Sequence, residues 1–236
     1  MSSQRRTDPY AVRSMPPRRA TPPTRTPLSR DRIIRAAMEV ADRDGVEAAT
    51  MRRLGQELGV EAMSLYNHVS KKTDILDGAL DIVVSEFPMP STTSDWRAAI
   101  RSSAVGTFEV LLRHRWACNV LLTRTGGTGP ARQRYGDWLL GTLRQAGFSV
   151  ELTHHAYHVL ENYINGTAAA AANFPIPFAD LPAAAARFRD QLDADAYPHL
   201  VEHITYHADA GVLGEGDFEF GLNLILDSLE RLRVTG

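Results

Sequence analysis

The stretch Thr50-Met-Arg-Arg-Leu-Gly-Gln-Glu-Leu-Gly-Val-Glu-Ala-Met-Ser-Leu-Tyr-Asn-His-Val-Ser-Lys-Lys72 reads as two short helices joined at a glycine. Thr50 can cap the first helix by accepting a backbone N–H. Leu54 and Leu58 fall four apart on one face, and Gly59 can take the left-handed conformation that ends it. Val60 packs the turn. In the second helix Leu65 and Val69, again four apart, point to the core and leave Met63, Ser64, Tyr66, Asn67 and His68 largely outward. A solvated helix face is usually rich in Lys and Glu. This one carries hydroxyls, an amide, an imidazole and a thioether, with Lys71 and Lys72 just behind them, and those groups suit base edges and phosphates. A plain core hairpin of helices would account for Leu54, Leu58, Leu65 and Val69 but not for an exposed Tyr, Asn and His together.

Upstream, a helix is predicted over Arg30 to Asp44. Ser29 is its cap, Asp31 lies in its first turn, Ile33, Ile34, Ala37, Val40 and Ala41 form its apolar stripe, and Gly45 closes it. Downstream, a helix is expected from Thr73, itself the cap, with Ile75, Leu76, Ala79, Leu80 and Val83 inward. The pattern breaks at Phe87-Pro88-Met89-Pro90, which places a domain boundary near residues 85–94. The run from Leu28 to about Val84 has Leu28-Ser29-Arg30 opening a helix and Gly45-Val46-Glu47 ending it. With Leu65-Tyr66-Asn67-His68-Val69 followed by Lys72, it resembles the DNA-binding domain of the TetR family of bacterial repressors. The resemblance implies that Arg52 and Ser64 reach base edges or adjoining backbone, while Thr50, Tyr66, His68 and Lys72 hold phosphates. Asn67 falls where the family often has an aromatic or polar contact, and Met63 where the tetracycline type frequently has proline, so the preferred DNA sequence stays open. A homodimer would set two reader helices one DNA turn apart, roughly 34–36 Å, on a palindromic double-stranded operator.

Net charge does not mark this region, since Leu28 to Leu80 holds 8 basic and 9 acidic side chains and the whole chain has a formal charge of −2. Placement does, because Arg52, Arg53, Lys71 and Lys72 gather about the expected DNA face. From Asp81 onward 12 basic residues face 18 acidic ones, so DNA should be met by the N-terminal end alone. Residues 1–27 hold six arginines against one aspartate among prolines and small polar residues, a composition expected to stay disordered. That tail either has no role or adds sequence-independent DNA affinity. The single cysteine, Cys118, excludes an internal disulfide framework and a Cys-based zinc site, and it reads as a small buried residue in a reducing cytoplasm. Neither a secretory signal nor an apolar run of about 18 residues is present, so a cytoplasmic protein without a membrane segment is expected.

The remainder reads as helices with loops: Asp95 to about His114, Trp116 to Leu122, Pro130 to Ala146 with Gly147 as its stop, Ser149 to about Ala172, and Asp217 to about Val234. With no convincing alternating segment the class is all-α. An N-terminal three-helix helix-turn-helix domain (28–84) should precede a larger helical effector-binding and dimerisation domain (95–236). Phe218, Leu222, Ile225, Leu226, Leu229 and Leu232 make a broad stripe on the last helix. With Gly166, Thr167 and the Ala168–Ala172 run, it looks like half of a dimer-forming four-helix bundle. Phe218-Glu219-Phe220-Gly221-Leu222 is also similar to the final helix of tetracycline-repressor-type C-terminal domains. The resemblance implies a small apolar or aromatic effector, for which Ser103, Thr107, Trp116, Leu121, Trp138 and Tyr157 are the candidate contacts. Aligning the His114-Arg115 pair puts Leu121 where the tetracycline type has its magnesium-binding histidine, and Ser103 and Thr107 where it has Asn and Phe, so a metal–tetracycline effector is not expected.

No Gly-x-Ser-x-Gly, phosphate loop or dinucleotide fingerprint is present, and Cys118 four residues from His114 is the nearest approach to a catalytic pair. The chain is therefore read as a non-enzyme, with no catalytic residue, no cofactor and no assigned metal ligand. His154 and His158, and the series His199, His203 and His207, share helix faces and leave metal sensing as the alternative. The leading expectation is a ligand-responsive DNA-binding transcriptional regulator, a repressor released from its operator by its effector.

Overall fold

In the computed structural model, residues 27–91, 95–123, 129–176, 178–210 and 215–235 are described; the basic tail lies outside them. Helix α1 (Arg30–Asp44) starts where Ser29 Oγ accepts the backbone N–H of Arg32 at 3.3 Å and ends at Gly45, whose φ of 86° favours glycine. A single 3₁₀ turn, Val46–Ala48, leads to α2 (Met51–Leu58). Thr50 Oγ1 caps α2 through the Arg53 N–H at 3.2 Å, and Gly59, left-handed at φ 67°, closes it. The short α3 (Ala62–Leu65) and then α4 (Lys72–Ser85) follow. Ile33, Ile34, Val40, Leu54, Leu65, Ile75 and Val83 from these four helices, and Val69 between α3 and α4, are buried together.

Helices α5 (Trp96–Arg113), α6 (Arg115–Thr123), α7 (Pro130–Gln145), α8 (Val150–Asn173), α9 (Leu181–Arg189), α10 (Pro198–Ala210) and α11 (Glu215–Thr235) complete the chain, with no strand among the described residues. Helix α8 is the hub, packing against α5, α6, α7 and α11. Phe218 of α11 stacks on Phe108 of α5 with ring centroids 4.2 Å apart and on Tyr163 of α8 at 5.5 Å. Arg101 with Glu219 at 2.7 Å, Arg97 with Asp227, and the Trp96 Nε1–H donated to Glu230 fasten α5 to α11. Helices α9 and α10, of which the sequence reading singled out only the histidine series, pack chiefly on each other.

The apolar cluster continues from Val84 and Phe87 into Phe108, Leu121 and Tyr135, so the two halves share one core. Their junction is polar at its edge. Asp42 of α1 accepts from His114 Nδ1 at 2.8 Å and from Trp116 Nε1 at 2.7 Å, and Glu86 pairs with Arg113 at 2.8 Å. Asp81 of α4 accepts the Ala131 N–H at 2.9 Å in the first turn of α7, whose own N-cap, Gly129, has no side chain to offer. A Cβ on Gly129 would collide with that Asp81 carboxylate, which is why glycine fits there.

One local expectation needs correcting. Thr73 does not cap α4: Lys71 occupies the cap position without a side-chain hydrogen bond, and Thr73 Oγ1 is buried inside the first turn without a partner among the described residues. Gly166, expected on the face where a second copy would pack, is exposed with open space around it within the chain. Inside the chain a close approach falls at Gly221, where a Cβ would overlap the Tyr163 ring.

Candidate nucleic-acid interface and effector cavity

The expected second helix is shorter than its pattern suggested. After Leu65 the N–H groups of Tyr66, Asn67 and His68 bond three residues back, to Met63, Ser64 and Leu65 carbonyls, so the segment tightens into turns before Val69 re-enters the core. Asn, His and Ser at positions 67, 68 and 70 are weak helix formers, which favours this tightening. The outward set survives the change. Met63 is 73% exposed and Tyr66 48%, Asn67 and His68 are exposed, and Ser64 is half-buried. Leu54, Leu65 and Val69 anchor the segment beneath them. Its seating needs one residue that the sequence reading passed over. A Cβ on Gly55 would lie 2.9 Å from the Val60 carbonyl oxygen and 3.1 Å from the Ala62 nitrogen, so glycine lets α2 and α3 touch at the turn. The available signal was an interior helical glycine, about 1 kcal/mol worse than alanine unless packing requires it.

The cations divide into two groups. Arg52 and Lys71 are exposed and make no ion pair among the described residues. Arg53, also expected near the DNA face, is exposed and pairs with Asp44 at 3.3 Å and Glu57 at 3.0 Å, and Arg43 joins the same group at 2.6 Å from Glu57. These two acids raise the Arg43 pKa, by hydrogen bonds to Glu57 and Asp44 first and their charge second. Lys72 stands at the start of α4 with its ammonium 3.7 Å from Glu47, an exposed and easily exchanged pair.

A cavity of about 20 Å³, room for a single water, lies between Val84, Phe87, Thr107, Leu121, Tyr135 and Ile164, with Arg132, Glu161 and Asn165 completing its wall. Two expected ligand contacts, Thr107 and Leu121, line it. Four do not. Ser103 Oγ donates to the Pro88 carbonyl at 2.6 Å and lies 3.5 Å from the Tyr135 hydroxyl, one layer behind the wall. Trp138 Nε1 donates to Pro90 O at 3.1 Å, Trp116 is turned to Asp42 at the junction, and Tyr157 bonds Glu161. Tyr135 is central here: buried, 3.4 Å from Thr107 Oγ1, and edge-on to Phe87 at 5.2 Å. Burial pushes the Tyr135 hydroxyl pKa up, and burial followed by the Glu161 charge does the same to Tyr157, so both stay protonated donors at neutral pH.

The cysteine–histidine pair does not form a reactive dyad. Cys118 is buried with its Sγ 3.6 Å from the Leu111 carbonyl, burial pushes its thiol up to about 11, and His114 faces Asp42. His154 and His158 touch edge-on at 4.6 Å, and His203 and His207 bring their Nε2 atoms to 3.1 Å. Among the described residues no group of three or more His, Cys, Asp or Glu side chains is placed to hold a metal ion, so the histidines supply no metal site there. Nor is any helix among them long and apolar enough to cross a membrane.

Residues 33–79 match the family model of bacterial regulatory proteins of the tetR type, and residues 88–233, more than half the chain, match the tetracyclin repressor-like C-terminal domain. The chain belongs to the TetR family. The family is one of transcriptional regulators, not of enzymes. Within the family, the chain is 37% identical over 148 residues to an HTH-type transcriptional regulator of Saccharopolyspora erythraea, covering 62% of each. It is 34% identical over 154 residues to the HTH-type transcriptional repressor DrrR1 of Streptomyces coeruleorubidus, covering 64% of this chain and 56% of that one. The aligned part thus spans less than two thirds of either relative. The TetR family protein ActR of Streptomyces coelicolor, solved in complex with (S)-DNPA, superposes with a TM-score of 0.73 at 26% identity, covering 87% of this chain and 98% of ActR. Its complex with actinorhodin gives the same TM-score and identity over 86% and 95%.

Proposed function

We propose that this chain is a homodimeric transcriptional regulator that reads a palindromic operator through α2 and the α3 turn and is released from it by a small apolar or aromatic effector. The observation that carries the reading is the reader segment: Met63, Tyr66, Asn67 and His68 stand exposed on a platform fixed by Leu54, Leu65 and Val69. Arg52 and Ser64 then take base edges or adjoining backbone, and Thr50, Tyr66, His68 and Lys72 take phosphates, with Asn67 and Met63 tuning sequence preference. Lys72 exchanges Glu47 for a phosphate at little cost, because that pair is exposed. A second copy covers the outer faces of α8 and α11, where Val159, Phe220 and Leu224 are left 47%, 68% and 54% exposed beside the shared α8–α11 packing.

The effector enlarges the small cavity by displacing its lining, with Thr107 and Leu121 among its contacts and Ser103, Trp138 and Tyr157 behind them. Its wall includes Val84 of α4 and the adjacent Phe87, so expansion pushes on the helix that carries the reader. ActR, a similar protein of this fold, has been solved with two organic ligands, which supports an organic effector over a metal ion. A differential affinity of about 1–3 kcal/mol between the two positions of α4 changes operator occupancy by roughly 5–150-fold. Selection from randomised duplexes tests the DNA reading. A palindrome should be enriched, and Arg52→Ala and Tyr66→Ala should lose it at the same salt, a base contact being worth about 1–3 kcal/mol. Enrichment of no sequence by the parent would overturn the proposal.

A further inference from the structure

A cleft of about 470 Å³ lies between α1, α4 and the start of α7, within the size range of small-molecule sites. Its floor is apolar, formed by Ile34, Leu80 and Val84, and Arg132 and Asp81 stand at its α7 end. Val84 and Arg132 also line the 20 Å³ cavity described above, so these two side chains partition the cleft from the interior. Arg132 is half-buried and, among the described residues, makes no hydrogen bond or ion pair. Its charge does act on Tyr157, lowering that hydroxyl's pKa against the larger upward pull of burial. A guanidinium partly withdrawn from water with its donors uncommitted is suited to a carboxylate, which it can bind with two parallel hydrogen bonds. The other charged groups on the cleft are Arg30, Asp31 and Asp77, all exposed and screened by solvent, and Asp81, already committed to the Ala131 N–H.

We propose that this cleft binds an organic acid with a flat apolar body. The carboxylate lies on Arg132, and the body rests on Ile34, Leu80 and Val84 and extends toward the interior cavity. The proposal rests on the effector-controlled reading above and names the chemistry and the route of the signal. Arg132 follows directly on Ala131, whose N–H is held by Asp81 of α4. Drawing Arg132 onto a ligand shifts the first turn of α7 against Asp81, and α4 passes the shift to the reader.

The test is calorimetric titration of the full chain with 1-naphthoate and anthraquinone-2-carboxylate, against 1-naphthamide and 1-naphthylmethylamine. Each variant's affinity for the selected duplex is then compared with and without the acid. The acids should bind and the amide at least about ten-fold more weakly, the difference between a charged and a neutral acceptor. Arg132→Gln should lose about ten-fold or more, with Arg132→Lys recovering part of the loss. Asp81→Ala should bring the ratio of DNA affinities with and without saturating acid toward one. The site is overturned if neither acid binds, if Arg132→Gln binds as the parent does, or if the amine binds in preference. Acid binding that needs Arg132, in a protein that retains no duplex at all, would support the site and overturn the regulatory reading beneath it.

Discussion

Helix α3 has four residues and α8 has twenty-four, and they hold the side chains proposed for function in opposite ways. A helix of one turn has no stability of its own, since isolated helices shorter than about 12–15 residues are marginal even with ideal composition. The α3 turn is placed from below, by Leu54, Leu65 and Val69 and by the contact that Gly55 permits, so its outward side chains are free of structural work. In α8 the buried series Thr153, Ala156, Leu160, Ile164 and Ala168 belongs to the core, and Ile164 is at once packing and cavity wall. On the proposed function, recognition and stability are separate in the reader and merged in the bundle. A ligand entering the bundle must therefore move structure, which is what a regulator requires of its effector.

That contrast can be broken by substitution. Leu65→Ala, at a fully buried position, should cost about 2–5 kcal/mol in denaturant unfolding and abolish DNA binding with it. Little change would show that the reader is not held from below. Asp42→Ala should cost about 1–3 kcal/mol by leaving the Trp116 and His114 donors without their acceptor, and the tryptophan emission should shift on the same substitution. Alkaline titration probes the bundle's interior. Burial raises the Cys118 thiol from its ordinary value near 9 to about 11, so the native state favours the protonated form. Its contribution to stability is complete below about pH 9 and lost as the pH rises through about 11, and Cys118→Ala should flatten unfolding free energy against pH in that window. The smallest stability change belongs to the reader surface: Tyr66→Ala should leave unfolding within about 0.5 kcal/mol of the parent while DNA affinity falls, and a large loss of stability would mean that Tyr66 is structural after all.

Much of this was legible in the chain because it is local. Ser29, Thr50 and Ser149 cap the helices that follow them, Gly45, Gly59 and Gly147 take positive φ where helices end, the stripe of α1 buries as its period requires, and that of α11 does so as far as Leu229, with Leu232 left exposed. What escaped was set by distance. Nothing near Asp42 announces that it will meet Trp116, 74 residues on, and Trp116 alone reads as a pocket aromatic. The end of α3 escaped for another reason: Leu65 and Val69 keep a four-residue spacing whether the backbone between them is helical or drawn into tighter turns. The cavity wall fell between these cases, with Thr107 and Leu121 expected by likeness to the family and Tyr135, one aromatic of several along the chain, set apart from the others only once α5, α7 and α8 were brought together.

Helix α7 takes its N-terminal cap from α4, and the junction takes its acceptor from α1, so the two halves are less interchangeable than their separate family matches suggest. A hybrid that grafts a relative's reader onto this C-terminal part would have to bring carboxylates at positions 42 and 81. Lacking them, it would carry a frayed α7 and an unanswered indole at the seam, and the sensor would bind its ligand without the reader responding.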